Sequence, residues 1–357
     1  MPVPPPLHGR GAPTNHRSTR FDDLARALEG DWLDDAPVVD GDPLPHRTTV
    51  AIETPRTIIS RNTSPDIPFD RSLNAYRGCE HGCVYCFARP THAYLGLSPG
   101  LDFESRLSAK PDAARLLRIE LLKRGYAPAP LAMGTNTDPY QPIEARFAIT
   151  RSVLEVLREF RHPVMITTKS DRIIRDLDIL GPMAADGLAS VVISVTTLDP
   201  ATARTLEPRA AAPRRRLAAI TALRAAGVPT LVSVSPIIPA ITDHEIEAIL
   251  EAAAKAGAVG AFARPVRLPF EVAPLFRAWL DAHHPDRATR VMALIQSMRG
   301  GRNNDPRFGE RMKGSGAYAA MLQSRVKIAK ARLGLDHDRP QLRVDLFSAP
   351  GKQLSLL

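Results

Sequence analysis

The three cysteines of this 357-residue chain sit together in Cys79-Glu-His-Gly-Cys83-Val-Tyr-Cys86, a C-x3-C-x2-C spacing. Thiols grouped this tightly point to metal binding; an odd number cannot form a disulfide framework, and a chain of this length buries a core without one. A structural zinc site wants four protein ligands, so the fourth would be His81 or a distant His or Asp. A [4Fe-4S] cluster can take three thiolates and leave one iron open to an outside ligand, which makes that iron a place for reaction.

Such a loop needs a scaffold, and the chain supplies a regular one. Short β-branched runs at 72–77, 130–135, 163–168, 190–196, 229–235 and 258–264 alternate with amphipathic segments at 110–125, 150–161, 171–185, 213–226 and 243–256. Thr242-Asp-His-Glu245 reads as a capping box closed later by Gly257, and Thr150 similarly opens the helix that follows it. Serial βα units imply parallel strands with right-handed crossovers, hence an open doubly wound sheet or a barrel. In a barrel, chemistry sits at the C-terminal ends of the strands. There the sequence places the cysteine loop, then Gly134 to Glu144 with Thr137 and Asp138, then Thr168, Lys169 and Ser170. Ser194, Thr196 and Thr197 follow with the Glu207 to Arg209 loop, then Ser233 and Ser235, and finally Arg264.

C-x3-C-x2-C with the aromatic Tyr85 just before the last cysteine resembles the signature of radical S-adenosylmethionine (SAM) enzymes. The string Thr137-Asp-Pro-Tyr-Gln-Pro142 is similar to one in the spore-photoproduct-lyase-like branch of that family. The resemblance implies an α/β fold, a partial (β/α)6 TIM-like barrel over residues 61–285. A Pro-rich, partly disordered N-terminal extension (1–60) would precede it, and a basic C-terminal helical extension (286–357) would follow. It implies that Cys79, Cys83 and Cys86 hold a [4Fe-4S] cluster whose open iron chelates SAM. Tyr85 would lie near the adenine, Thr137 and Asp138 at the amine, Lys169 at the carboxylate, and Ser194 would also bind SAM. The implied reaction is one-electron reductive cleavage of SAM, fed by a flavodoxin- or ferredoxin-type reductant, followed by hydrogen abstraction by the 5′-deoxyadenosyl radical. The resemblance stops at the donor cysteine that spore photoproduct lyase places near the second-strand loop: the comparable stretch here is Gly134-Thr135-Asn136. With all three thiols assigned to one cluster, none remains for a hydrogen donor or an auxiliary cluster. Tyr76, Tyr85 and Tyr140 could relay a hydrogen, although packing is the commoner use of such residues.

Charge bears on the substrate. The chain has 47 Lys and Arg against 38 Asp and Glu, a net +9, with the excess toward the C-terminus: residues 299–345 hold eleven basic and five acidic side chains. Arg302, Arg307, Arg311 and Lys313 in a Gly-rich loop could line a substrate mouth and meet phosphates, and Arg214 to Arg216 open a helix. A nucleic-acid substrate is therefore an expectation. Aromatic residues make up only 5%, too few for an obvious stacking platform. The helix at about 315–333 puts Tyr318, Leu322, Val326, Ala329 and Leu333 on one face, suited to covering the barrel. No secretory signal or membrane-spanning run is read at the start of the chain, so a cytoplasmic location is expected. The rival reading from another class is a non-catalytic, zinc-stabilised nucleic-acid-binding protein.

Overall fold

A computed structural model describes residues 9–21, 38–39, 42–43, 47–337 and 339–350. The prolines at 4–6, the rest of residues 1–8 and residues 22–37, 40–41 and 44–46 of the expected N-terminal extension lie outside the described residues, as do residues 338 and 351–357.

The early elements from residue 49 begin as a run of strands and then alternate with helices as expected. They are β1 (Thr49–Ile52), β2 (Ile59–Arg61), β3 (Arg71–Leu73), β4 (Tyr76–Arg77), α1 (Leu101–Ser105), β5 (Arg106–Ala109), α2 (Ala113–Leu121), β6 (Leu131–Met133), α3 (Ile149–Glu159), β7 (Val164–Thr168), α4 (Leu177–Ala185) and β8 (Ala189–Ser194). There follow α5 (Pro200–Leu206), α6 (Pro213–Ala225), β9 (Thr230–Ile237), α7 (Ile246–Lys255), β10 (Gly260–Pro265), α8 (Val272–His283), α9 (Ala288–Ser297) and α10 (Gly316–Leu333). The main sheet runs β10-β9-β8-β7-β6-β3-β2. Six strands are parallel and β2 pairs antiparallel with β3 at the edge, leaving the two ends of the sheet unpaired with each other: a partial barrel. All six residues of β8 are buried, as a parallel strand covered on both faces must be.

Three local differences from the sequence reading have physical causes. The expected first strand, 72–77, is split: β3 joins the main sheet, while β4 turns away to pair with β5 in a small sheet ordered β1-β5-β4. The capping box does not form, because Glu245 is taken by tertiary donors, Thr197 Oγ1 at 2.6 Å and Leu198 N at 2.6 Å, and Thr242 Oγ1 accepts from Ile238 N. Thr150 lies inside the first turn of α3, and its hydroxyl donates to Pro139 O. Gly257 does follow α7 with a left-handed φ of 98°. The C-terminal helix α10 buries Ala319, Leu322 and Ala329 against the core, and Arg325 pairs with Glu247 on α7. Among the described residues no helix is long and apolar enough to cross a membrane.

The described part of the N-terminal lead-in is packed at residues 10–12, which are buried because Glu104 accepts from Gly11 N and Ala12 N at 2.9 and 2.8 Å. Helices α8 and α9 share one apolar cluster with Cys83, Val84 and Tyr85, through Trp279, Phe276 and Ile295, so the 285/286 boundary passes between helices that jointly cover the cysteine loop.

One buried histidine sets a pH dependence. His162 Nδ1 lies 3.0 Å from Pro163 O, to which it can only donate, leaving Nε2 to accept from the Tyr126 hydroxyl at 2.8 Å. Burial lowers its pKa from 6.5 to about 4, against the pull of the Pro163 carbonyl. The unfolded chain therefore takes up this proton first, and stability present above pH ~6.5 is lost as the pH falls toward ~4, by about 3 kcal/mol. Urea unfolding at about pH 7 and pH 4.5 should show a smaller loss for His162→Gln than for the unaltered chain. Equal losses would remove the assignment.

Candidate metal centre and its surroundings

The cysteine loop leaves β4 and is tied on every side. Cys79 N donates to Phe103 O, Val84 N to Leu206 O, and Arg209 N to His81 O. Beneath it, Arg89 is wholly buried and spreads its guanidinium over four carbonyls, those of Cys83 (2.9 Å), Gly82 (3.0 Å), Pro99 (3.1 Å) and Gly100 (2.8 Å), while its remaining reach meets Glu104 Oε1 at 3.0 Å. A planar fork of donors suits this task as a lysine would not. Gly82 has a left-handed φ of 67°, and any side chain there would run into the Glu104 carboxylate.

Cys79 and Cys83 are buried and Cys86 is half-buried. Burial pushes the Cys83 thiol up to about 12, with Lys169 acting in the opposite sense; Cys79 is raised by burial and then by the charges of Asp138 and the other two cysteines. Buried thiols in mutual electrostatic reach stay protonated unless cations replace the protons. Three thiols on one loop suit a cluster that presents a separate iron to each. Among the described residues, no three His, Cys, Asp or Glu side chains converge as ligands of a single ion. Three thiols on one loop, two of them buried, are a donor set that an iron–sulfur cluster can use.

Thr137 and Asp138, which the sequence assigns to SAM, are turned toward the protein. Thr137 Oγ1 donates to Gly78 O at 2.5 Å and accepts from Gln141 Nε2 at 2.9 Å. Asp138 Oδ1 accepts from Thr168 Oγ1 (2.7 Å) and Tyr140 N (2.9 Å), and Oδ2 from Lys169 N (2.8 Å), with His81 Nδ1 3.3 Å from Oδ2. Burial works to raise the Asp138 pKa, but the facing imidazole and these donors bring it down to about 2. Both residues brace the cysteine loop against the ends of β6 and β7.

Tyr85 and Lys169 come together next to these residues, and Ser194 lies buried at the end of β8. Lys169 is half-buried, with Nζ 5.8 Å from the Tyr85 ring centroid; burial opposes its charge, yet the neighbouring Cys83 and Glu207 hold its pKa up. The Tyr85 hydroxyl donates to Glu207, which also accepts from Thr196 Oγ1 at 2.7 Å and forms a fully buried pair with Arg216. Burial would raise the Glu207 pKa, but Arg216 and Lys169 lower it to about 2. Arg216 also donates to Ser194 O at 3.2 Å, so β8, α5 and α6 jointly fix Tyr85. The sequence reading left Glu207 without a role and placed Arg216 in a basic run that opens a helix. The anion that meets Arg216 is within the chain, as it is for Arg215, which pairs with Asp171 at 2.5 Å. Tyr76 and Tyr140 are buried; Tyr76 donates to Glu144 and Tyr140 to Asp176. Of the expected phosphate-meeting loop, Arg307 pairs with Asp305 at 2.6 Å and Arg311 with Asp66 at 2.5 Å, so their charges are already matched.

The description of the radical SAM superfamily matches residues 73–253. An uncharacterised protein of Mycobacterium tuberculosis is 38% identical over 275 residues, covering 76% of this chain and 77% of that protein. One of Methanocaldococcus jannaschii is 27% identical over 173 residues, 48% of this chain and 62% of that one. Among solved structures, spore photoproduct lyase complexed with dinucleoside spore photoproduct has a similar fold, with a TM-score of 0.55 at 15% identity and 81% of each chain covered. A variant of the same lyase reaches 0.56 at 16% identity over 81% of each chain. With the cysteine loop lying among the strand ends of a partial six-stranded parallel barrel, and the family match spanning half of the sequence, the chain belongs to the radical SAM superfamily and is a radical SAM enzyme.

Proposed function

We propose that Cys79, Cys83 and Cys86 hold a [4Fe-4S] cluster with one iron left for SAM, and that the enzyme aims the resulting 5′-deoxyadenosyl radical at a C–H bond of its substrate. When bound, the cluster supplies one electron, received from a flavodoxin- or ferredoxin-type donor, for reductive cleavage of the SAM carbon–sulfur bond. The observation that carries this reading is the gathering of three thiols on one braced loop beside Lys169 and Tyr85. Lys169 keeps its charge and is suited to the SAM carboxylate; Tyr85, locked by Glu207, offers its ring to the adenine; Ser194 binds SAM from the end of β8. Thr137 and Asp138 act on SAM through the loop they brace. The apolar cluster that α8 and α9 form with Cys83, Val84 and Tyr85 keeps water from that side of the loop, which would protect a carbon radical from side reactions.

The test is anaerobic reconstitution with iron and sulfide, then dithionite and SAM, with 5′-deoxyadenosine measured by chromatography. Its release supports the proposal; tight binding of a single zinc and no release would favour the zinc-stabilised binding protein. Lys169→Ala should raise the KM for SAM about tenfold or more, the cost of one charge-assisted contact, with the maximal release less affected. An unchanged KM would remove Lys169 from the SAM site.

A further inference from the structure

The turn Asp171–Asp176 after β7 and the segment that joins α5 to α6 line one cavity of about 760 Å³. His81, which lies between Cys79 and Cys83, is on its wall. Arg209 ties the cavity to the cysteine loop: its backbone N donates to His81 O at 3.2 Å, and its guanidinium meets Glu80 Oε1 at 3.0 Å. Four arginines line the cavity, Arg172, Arg175, Arg209 and Arg215, against one carboxylate, Asp171. The acids that pair with Arg175 and Arg209 lie beneath them, Glu144 and Asp176 wholly buried and Glu80 only 4% exposed. Arg215 is 67% exposed above a largely buried Asp171. Arg172 is exposed and makes no ion pair among the described residues. A molecule that approaches this side of the loop therefore meets guanidinium groups first.

Other approaches to the loop are taken. Helices α8 and α9 cover Cys83, Val84 and Tyr85, and Gly11 lies against Gly82. The loop is also exposed at Phe87, but there a single guanidinium, that of Arg267, lies 4.6 Å from the ring, whereas the His81 side presents four. Clustered charge of one sign steers a partner of the opposite sign and sets its orientation. We propose that this arginine-lined face is where the electron donor docks: a carrier protein with an acidic surface, whose carboxylates meet Arg172, Arg175, Arg209 and Arg215 and whose redox group comes to rest beside His81. For a flavin carrier one electron crosses: the anionic hydroquinone becomes the neutral semiquinone and the cluster is reduced by one charge, with no bond made or broken. The inference rests on the proposed cluster chemistry for its purpose, while the docking itself can be read on the metal-free chain. It gives a role to Arg209 and Arg215, whose partners within the chain hold them in place.

The experiment uses the full chain and an acidic flavodoxin carrying a fluorophore. Its binding to the metal-free chain is followed by anisotropy at roughly 50 and 300 mM salt, and the reduced flavodoxin is then compared with dithionite as the source of electrons for 5′-deoxyadenosine release. Binding should weaken as salt rises. The double variant Arg172→Glu/Arg215→Gln should weaken it about tenfold and raise the apparent KM for flavodoxin by a similar factor. Release driven by dithionite, which is small and needs no docking, should be the same in the variant and the unaltered chain. Lys327→Glu, at an exposed cation on α10, should change neither. Absence of binding at low salt, or equal binding by the double variant, would overturn the docking face. Loss of binding in Arg267→Glu with none in the double variant would place the donor at Phe87 and overturn it as well. No release with dithionite from the unaltered protein would instead count against the proposed function, and the anisotropy would still decide the docking.

Discussion

Cys83→Ala is expected to abolish 5′-deoxyadenosine release and most iron uptake while leaving the fold in place. The backbone at this position is secured independently of the thiol: Cys83 O accepts from Arg89 Nε and from Cys86 N, and its neighbour Val84 is fixed to Leu206 O. Removing one buried sulfur from an apolar cluster of Val84, Leu206 and Ile238 costs about 1 kcal/mol. Urea unfolding of the metal-free variant should therefore move little, whereas broad absorption near roughly 400 nm, the mark of thiolate-ligated iron–sulfur clusters, should be nearly lost after reconstitution. Iron content and release matching those of the unaltered protein would mean that Cys83 is no ligand.

The second large effect is structural. Arg89→Ala should destabilise the metal-free chain by about 3–5 kcal/mol, because it removes the guanidinium bonded to the wholly buried Glu104 carboxylate and frees four carbonyls of the loop and of the turn before α1. The same clamp connects the N-terminal segment to the loop, since Glu104 accepts from Gly11 N and Ala12 N. Arg77→Ala provides the contrast: its pair with Glu53 is solvent-exposed, and its removal should cost no more than about 1 kcal/mol. Urea midpoints and slopes for the two variants give the comparison directly. Similar losses for both would show that Arg89 does not carry the loop.

The features legible in the sequence were those whose causes are local. Five of the six expected parallel strands lie within a few residues of the observed ones, because a strand buried on both faces must be a short apolar run. The cysteine spacing was readable because a metal centre needs thiols at fixed offsets on one loop. Long-range partners were not readable. Arg216 sits in an Arg-Arg-Arg run typical of solvent, and only the meeting of α5 and α6 brings it to Glu207. Arg89 and Glu104 are 15 residues apart with no periodic relation. Glu245 and Thr242 had the spacing of a cap, yet a tertiary donor at Thr197 outcompeted the helix end. Thr137 and Asp138 were found as polar groups at a strand end, but the direction in which they face depends on His81 and Gly78, which the chain folds back against them. The charge excess was visible in outline, and its matched and unmatched arginines were separable only once Asp66 and Asp305 were seen in place.

The central claim is that the three thiols hold a cluster with one iron open to SAM. Electron paramagnetic resonance of the reconstituted, dithionite-reduced protein, with and without SAM, tests it most directly. The predicted result is a reduced [4Fe-4S] signal whose g values shift when SAM is added, lost in Cys83→Ala. A protein that binds one zinc and gives no such signal, or a cluster signal indifferent to SAM, would contradict the account.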